Sequence, residues 1–246
     1  MTGHDLLRDK VVVVTAAAGT GIGSAVARRC VEEGATVVVS DWHERRLEKT
    51  AADLGVAAIP CDVTSEEQVR ALVDGTVAEY GRLDVMINNA GLGGTSSILD
   101  MTDDEWSRVL DVTLNGTFRC TRAALKHMVA QGSGAVVNNA SVVGWRAQEG
   151  QAHYAAAKAG VMALTRCAAM DVALHGIRVN AVAPSLAAHP FLAKVTSEEL
   201  LAELASKEAF GRAAEPWEVA NVMVFLASDY ASYLTGEVIS VSSQHP

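Results

Sequence analysis

The sequence is short of cysteine, of positive charge and of long apolar runs, and each shortage removes a class of protein. Its four cysteines, Cys30, Cys61, Cys120 and Cys167, are widely spaced and form no CxxC pair. Each lies in or beside an apolar or helical run, so buried thiols in a reducing compartment are expected. Lysine and arginine total 20 against 29 acidic residues, a formal net charge of −9. Phosphate neutralisation needs a basic face, so nucleic acid is not an expected partner. The segment "MTGHDLLRDK" has no apolar stretch of signal-peptide length, and no run approaches a membrane span. A cytoplasmic protein with no membrane partner and no metal is the expectation.

What is present is a repeating unit of apolar run and helix-like segment. "VVVVT" (11–15) is continuous and β-branched, as a strand buried on both faces should be. Residues 24–34 then read as a helix ending at Gly34, 35–41 as a strand, and 43–55 as a helix closed by Gly55. "AAIPCDV" reads as a strand, and the helix after it starts at a Ser65/Gln68 capping box. "LDVMINNAG" is the fourth strand, Trp106 to Gln131 a long helix, and 134–141 the fifth strand. A helix over 152–175, strands at 177–184 and "GEVISVS", and a helix over 217–228 complete the pattern. Such alternation implies an α/β fold, a parallel sheet with helices on both faces. No composition shift marks a linker, so 1–246 reads as one doubly wound, Rossmann-type domain. Its long irregular segment, 185–216, is a candidate substrate lid.

Two short motifs carry chemistry. "AAAGTGIG" (16–23) follows the first strand and opens the first helix. Glycines there let backbone N–H groups approach a pyrophosphate at a positively polarised helix end, although an ordinary tight turn has the same composition. Asp41 ends the next strand about 20 residues on, where a carboxylate accepts from the ribose hydroxyls of NAD and repels a 2′-phosphate. A helix N-cap is the other use for Asp41, and Arg45 and Arg46 just beyond it suit a 2′-phosphate. In "GQAHYAAAKAG" (150–160), Tyr154 and Lys158 lie one helical turn apart on one face. A phenol titrates near ~10 and needs a tuner to exchange protons at neutral pH.

Taken together, these motifs resemble the short-chain dehydrogenase/reductase family, of the sort that includes the 3-oxoacyl-[acyl carrier protein] reductases. The resemblance runs end to end. It rests on the glycine turn, Asp62–Val63, "NNAG" (88–91), Ser141 thirteen residues before Tyr154, the Tyr154–Lys158 pair, "NAVAP" (180–184) and "FLAS…YLTGEVI". It implies an oxidoreductase moving a hydride between C4 of nicotinamide and a carbinol or carbonyl carbon. Tyr154 would be the general acid/base, Ser141 would hydrogen-bond the substrate oxygen, and Lys158 would hold the nicotinamide ribose and favour phenolate. Thr20, Gly21, Ile22 and Gly23 would meet the pyrophosphate, and Asp62, Val63, Asn89, Ala90 and Gly91 the adenosine side. Asp41 and Thr20, where phosphate-binding relatives often place a base, favour NAD over NADP.

The chain also departs from the family pattern. Counted back from Gly23, Ala17 stands where the first glycine of Thr-Gly-x-x-x-Gly-x-Gly belongs; counted forward, Thr15 fits but the loop is one residue longer. Thr113 occupies the place of the family's catalytic Asn on the central helix. Asn115, two residues on, is turned about 200° away, so Thr113 either holds a relay water or the relay is altered. In "APSLAAHPFLAKV", Ser185 replaces a Gly and His189 a Thr, with Ala187 as the expected backbone partner of the carboxamide. Trp145, Gln148, His153 and His189 are candidate substrate residues beside Ser141, and Glu149, Phe191 and Leu192 are further possibilities. "SDWHERRLEKT" and "APSLAAHPFLAKV" resemble bacterial reductases of steroid ring breakdown that act on coenzyme A thioesters. A homotetramer or homodimer through the two long central helices and the C-terminal segment is implied by the family. The competing class is a dinucleotide-binding regulator without turnover, which should lack the Tyr/Lys pair.

Overall fold

Four consecutive valines, Val11–Val14, are all buried and form β1, an interior strand of the sheet. Their branched side chains are stiff and pack well on a pleated surface, which favours a strand here over a helix. Side chains alternate across that strand. Val12 and Val14 enter one core with helices α1 (Ile22–Glu32) and α8 (Pro216–Ala227). Val13 enters the other core, with α3 (Glu66–Tyr80), α5 (Gly116–Gln131) and α6 (Ala152–Val172). Covering on both faces explains why the strand reads as an unbroken apolar run.

Six strands join β1: β2 (Thr36–Val39), β3 (Ala57–Ala58), β4 (Val85–Asn88), β5 (Gly134–Asn139), β6 (Ile177–Pro184) and β7 (Val238–Val241). The order is β3-β2-β1-β4-β5-β6-β7, and every pairing is parallel. This is the doubly wound Rossmann-type α/β fold that the alternation implied. Strand order reverses between β1 and β4, and ligands in such sheets bind outside the carboxyl ends of the strands at that switch. The computed structural model describes residues 3–188 and 198–243.

Several local expectations change. Residues 185–216 are not wholly irregular, because α7 (Glu198–Lys207) forms within them and Ala187 pairs with Ala214. The helix expected over 106–131 starts earlier, as α4 (Asp103–Leu110), where Thr102 and Glu105 complete a capping box. It then widens into a π turn at Asp111–Asn115 before α5. A side chain at Gly116 would come within 2.7 Å of Val63, so the glycine lets this widened helix press onto the β3–α3 connection. Only half of the Ser65 box exists: Ser65 Oγ accepts from Gln68 N, while the Gln68 side chain accepts from Asp62 N. Cys30, Cys61 and Cys120 are buried, but Cys167 is exposed on the outer side of α6. Among the described residues, no helix is long and apolar enough to cross a membrane.

Candidate active site

The glycine turn settles its own alignment. Thr15 Oγ accepts the N–H groups of Asn89 and Ala90 at 3.0 and 3.2 Å and donates to Ile87 O at 3.3 Å. Ala16 follows with φ +48°, the left-handed region that favours glycine. Counting forward from the strand is therefore correct, and the extra residue lies further along the turn. Ala17 N–H donates to Ser40 O, Ala18 N–H to Asp41 Oδ2 and Gly19 N–H to Thr50 Oγ. Those three donors tie the turn to β2 and to α2 (Glu44–Leu54). Beyond them, α1 begins at Gly21 with no side-chain cap, so its first N–H groups point outward at a positively polarised end. A Cβ on Gly23 would sit 2.2 Å from Ala16 O, so only glycine permits this closeness of turn and helix. An uncapped helix start of this form suits a pyrophosphate.

Asp41 is buried at the end of β2 and does not cap α2, whose N-cap is His43. Its two carboxylate oxygens accept from Ala18 N at 3.2 Å and His43 N at 2.9 Å. Asp62 Oδ1 accepts from the Thr64 N–H and hydroxyl. The Val63 side chain is turned into the core against Gly116. Asn89 links three strand ends: its Nδ2 donates to Ala16 O and its Oδ1 accepts from Asn139 Nδ2 at 2.9 Å.

Ser141, Tyr154 and Lys158 converge beside these strand ends. Ser141 leaves β5 and caps a short 3-10 turn, Val142–Gly144, accepting from Val143 N. A Cβ on Gly144 would lie 3.0 Å from Ala159 N, so the missing side chain lets the Ser141 turn sit directly on α6. Tyr154 is in the first turn of α6 and Lys158 one turn later, with Lys158 Nζ 5.5 Å from the Tyr154 ring centroid. Burial pushes the Tyr154 phenol above its ordinary pKa, and its hydrogen bond with Ser141 opposes that rise. Lys158 is buried and donates to Asn139 O at 2.5 Å. Burial lowers its pKa to about 8.

Residues 16–243 match the family model described as enoyl-(acyl carrier protein) reductase. The chain belongs to the short-chain dehydrogenase/reductase family. It is accordingly an NAD(P)-dependent oxidoreductase acting on CH–OH and C=O groups. It is 66% identical to the (5R,7aS)-5-hydroxy-7a-methyl-1-oxo-2,3,5,6,7,7a-hexahydro-1H-indene-carboxyl-CoA reductase of Mycobacterium tuberculosis, over 100% of this chain and 97% of that protein. It is 44% identical to cis-4-hydroxycyclohexanecarboxylate dehydrogenase of Sinomonas cyclohexanicum, over 95% of each. A solved short-chain dehydrogenase from Mycobacterium smegmatis superposes with a TM-score of 0.89 at 58% identity, covering 100% of this chain and 97% of that one.

Within this short-chain dehydrogenase, Thr113 is buried in the π turn, and both its hydroxyl bonds go to Leu92. The Oγ accepts from Leu92 N at 2.9 Å and donates to Leu92 O at 3.2 Å. The hydroxyl proton and one lone pair are thus committed to the loop after β4. Asn115 is exposed and bonded to Asp111, on the outer side as expected. Gly91 lies between the two groups: a Cβ there would be 3.4 Å from Lys158 Nζ and 3.7 Å from Thr113 Oγ. Ala187, just past β6, is held by the Ala188–Ala214 and Ala214–Leu186 backbone bonds.

Among the substrate candidates, Trp145 and Gln148 are exposed in the connection between Ser141 and α6. His153 is instead buried, with its Nε2 packed against Gly94. His189, Phe191 and Leu192 lie outside the described residues. Sequence reasoning missed Asn139, Gly144 and Leu92, because each acts through backbone proximity and no spacing rule signals it. Among the described residues, no group of His, Cys, Asp or Glu is placed to hold a metal.

Proposed function

We propose that this enzyme uses NAD(H) to interconvert a secondary alcohol and a ketone on an alicyclic ring system that carries a carboxyl group, presented as a coenzyme A thioester. The observation that carries the reaction is the convergence of Ser141, Tyr154 and Lys158 beside the topological switch. Support for the substrate class comes from the two relatives named above. Both names describe an oxygen function on an alicyclic ring system bearing a carboxyl group, free in one and thioesterified in the other.

The uncapped start of α1, the glycine contact at Gly23 and the Asp41 carboxylate together fit a nicotinamide dinucleotide. Thr20 to Gly23 would hold its pyrophosphate and Asp41 its adenosine ribose. Asp62, Ala90 and Gly91 would lie along the same edge, and Ala187 would meet the carboxamide. When bound, the nicotinamide supplies or accepts the hydride. In the reducing direction Tyr154 donates its phenolic proton to the oxygen of the ketone, and Ser141 donates a hydrogen bond to that same oxygen. Lys158, as a cation near the ring, stabilises the phenolate left behind. A phenol held high by burial is fully protonated at neutral pH, so it is ready as an acid. As a base for alcohol oxidation it must first ionise, and oxidation should therefore gain from alkaline pH. Thr113 has a structural part in this scheme, pinning Leu92 and with it the backbone of Gly91, which lies beside Lys158. Residues 185–216 are the proposed substrate lid, held at its base by Ala187 and Ala214.

The test is to supply NAD+ with cis-4-hydroxycyclohexanecarboxylate, its coenzyme A thioester and a hydroxylated hexahydroindene-carboxyl-CoA, and to follow absorbance of the reduced nicotinamide. The thioesters should be preferred, and no turnover of any ring alcohol would reject the proposal. NAD(H) should exceed NADP(H) in kcat/KM by at least roughly tenfold, about 1.4 kcal/mol of discrimination. Equal or better rates with NADPH would remove Asp41 from that role. Asp41→Asn, which loses the charge and keeps one of the two acceptor oxygens that meet Ala18 and His43, should narrow the gap.

We also propose a homodimer or homotetramer. A groove of about 540 Å³ runs between α5 and α6, lined by Phe118, Leu125, Val129, Leu164, Cys167 and Val172. Phe118 and Val129 are each more than a third exposed there, and Met170 is 80% exposed on the same helix pair. Closed symmetry about this face would bury them. A sedimentation experiment at micromolar concentration should find dimer or tetramer, and a monomer would reject the assembly.

A further inference from the structure

The first turn of α6 carries Tyr154, yet its N-cap, Gln151, makes no side-chain cap bond. Helix starts leave N–H groups without intrahelical partners, and a catalytic residue on an unsatisfied turn would be poorly held. His153 fills this gap. It is 2% exposed, and its Nδ1 accepts the backbone N–H of Tyr154 at 2.9 Å. An imidazole accepting at Nδ1 carries its proton on Nε2. That nitrogen faces the loop after β4, where a Cβ on Gly94 would be only 3.2 Å from it.

The same loop is tied to the start of α6 by other bonds. Gln151 Nε2 donates to Gly94 O at 2.9 Å, and Ser96 N donates to Gly150 O at 3.0 Å. At its other end Thr113 holds Leu92 through both hydroxyl bonds. Between these anchors lies Gly93, where a Cβ would touch Tyr154 Cδ2 at 4.0 Å. The charged neighbour on the opposing helix is Glu105 of α4, held below its usual pKa first by its Thr102 bonds.

We infer that His153 is a positioning residue: its Nδ1 fixes the backbone at Tyr154 while its Nε2 edge braces the loop that backs the tyrosine ring. The inference rests on Tyr154 being the proton donor, and it makes His153 a strut and not a substrate ligand. Two side chains divide the two functions. Asparagine places an acceptor near the Nδ1 position but is too short to reach Gly94. Glutamine reaches toward Gly94 but gives up the acceptor at Nδ1.

The test compares full-length His153→Asn, His153→Gln and His153→Ala in amide exchange, NADH binding by fluorescence and steady-state kinetics with the ring ketone that wild type reduces. His153→Ala and His153→Gln should exchange amides at the start of α6 about tenfold faster than wild type, and His153→Asn should restore protection. His153→Gln should lose kcat by about tenfold or more with KM near wild type, whereas His153→Asn should keep kcat and raise KM several-fold. NADH affinity should stay within about twofold throughout, because the contacts of His153 with Tyr154 N and Gly94 involve none of the residues proposed to hold the nucleotide. Asparagine and glutamine variants alike in exchange and in kcat would overturn the inference, even if the alanine variant does not fold. Absence of wild-type turnover on every ring ketone would count against the proposed substrate, and the exchange comparison would still decide the strut.

Discussion

Tyr154→Phe is expected to lower kcat by roughly 10²–10⁴, the usual worth of a positioned acid or base. The change removes one oxygen, which meets Ser141 and leaves the ring contacts with Gly93 and Lys158 in place. Nucleotide affinity should therefore stay near wild type. Folding stability should fall by no more than about 0.5–1.5 kcal/mol, the net value of one hydrogen bond. The wild-type pH profile supplies a second check. Burial, the larger influence, raises the phenol pKa against the pull of Ser141. Ketone reduction should hold its rate at neutral pH and fall as the pH climbs through that raised value, while alcohol oxidation rises over the same range. Full activity in Tyr154→Phe would overturn the mechanism. A wild-type oxidation rate that falls from neutral to alkaline pH would remove the phenol from the role of base.

Lys158→Met should separate function from stability. Turnover should fall by roughly 10² or more, because the cation that stabilises a developing phenolate is gone. Nucleotide binding should weaken as well, because Lys158 is proposed to touch the ribose. Stability should move the other way. Burial lowers the Lys158 pKa from 10.5 to about 8, so in the folded protein the charged form is penalised by about 3 kcal/mol at neutral pH. Losing the bond to Asn139 O returns about 1–2 kcal/mol of that. The variant without nucleotide should thus be about 1–2 kcal/mol more stable at pH 7, a rise of a few degrees in Tm.

The direction with pH follows from proton counts. Between about pH 8 and 10.5 the unfolded chain binds the lysine proton and the folded chain does not. Wild-type stability therefore gains from this group as pH rises through that window. The variant's advantage should be complete below about pH 8 and gone near 10.5. Thermal melts at pH 7 and pH 10 measure it directly. A variant less stable than wild type at pH 7 would show that the lysine's bond outweighs its burial.

Much of this enzyme was determined by sequence. The unbroken valines of β1 dictate a strand covered on both faces, and the strand–helix alternation dictates a parallel sheet. Tyr154 and Lys158 share a helix face because their spacing is one turn, and backbone periodicity alone sets that. Local rules reached less far where contacts come from distant segments. Whether Thr15 or Gly23 sets the register of the glycine turn was left open by spacing. Asn89, Ala90 and Ile87 decided it, by giving the Thr15 hydroxyl its partners. Helix α7 and the Ala187–Ala214 pairing were not legible in a segment that reads as irregular. The work of Thr113 and His153 was also decided only in three dimensions. A hydroxyl or an imidazole has a few donor and acceptor positions, and its role follows from which backbone groups the fold brings within about 3 Å of them. For Thr113 that group is Leu92, and for His153 it is the N–H of the catalytic tyrosine. Sequence spacing carries the chemistry that lies along one helix; only tertiary packing joins one loop's backbone to another's side chain.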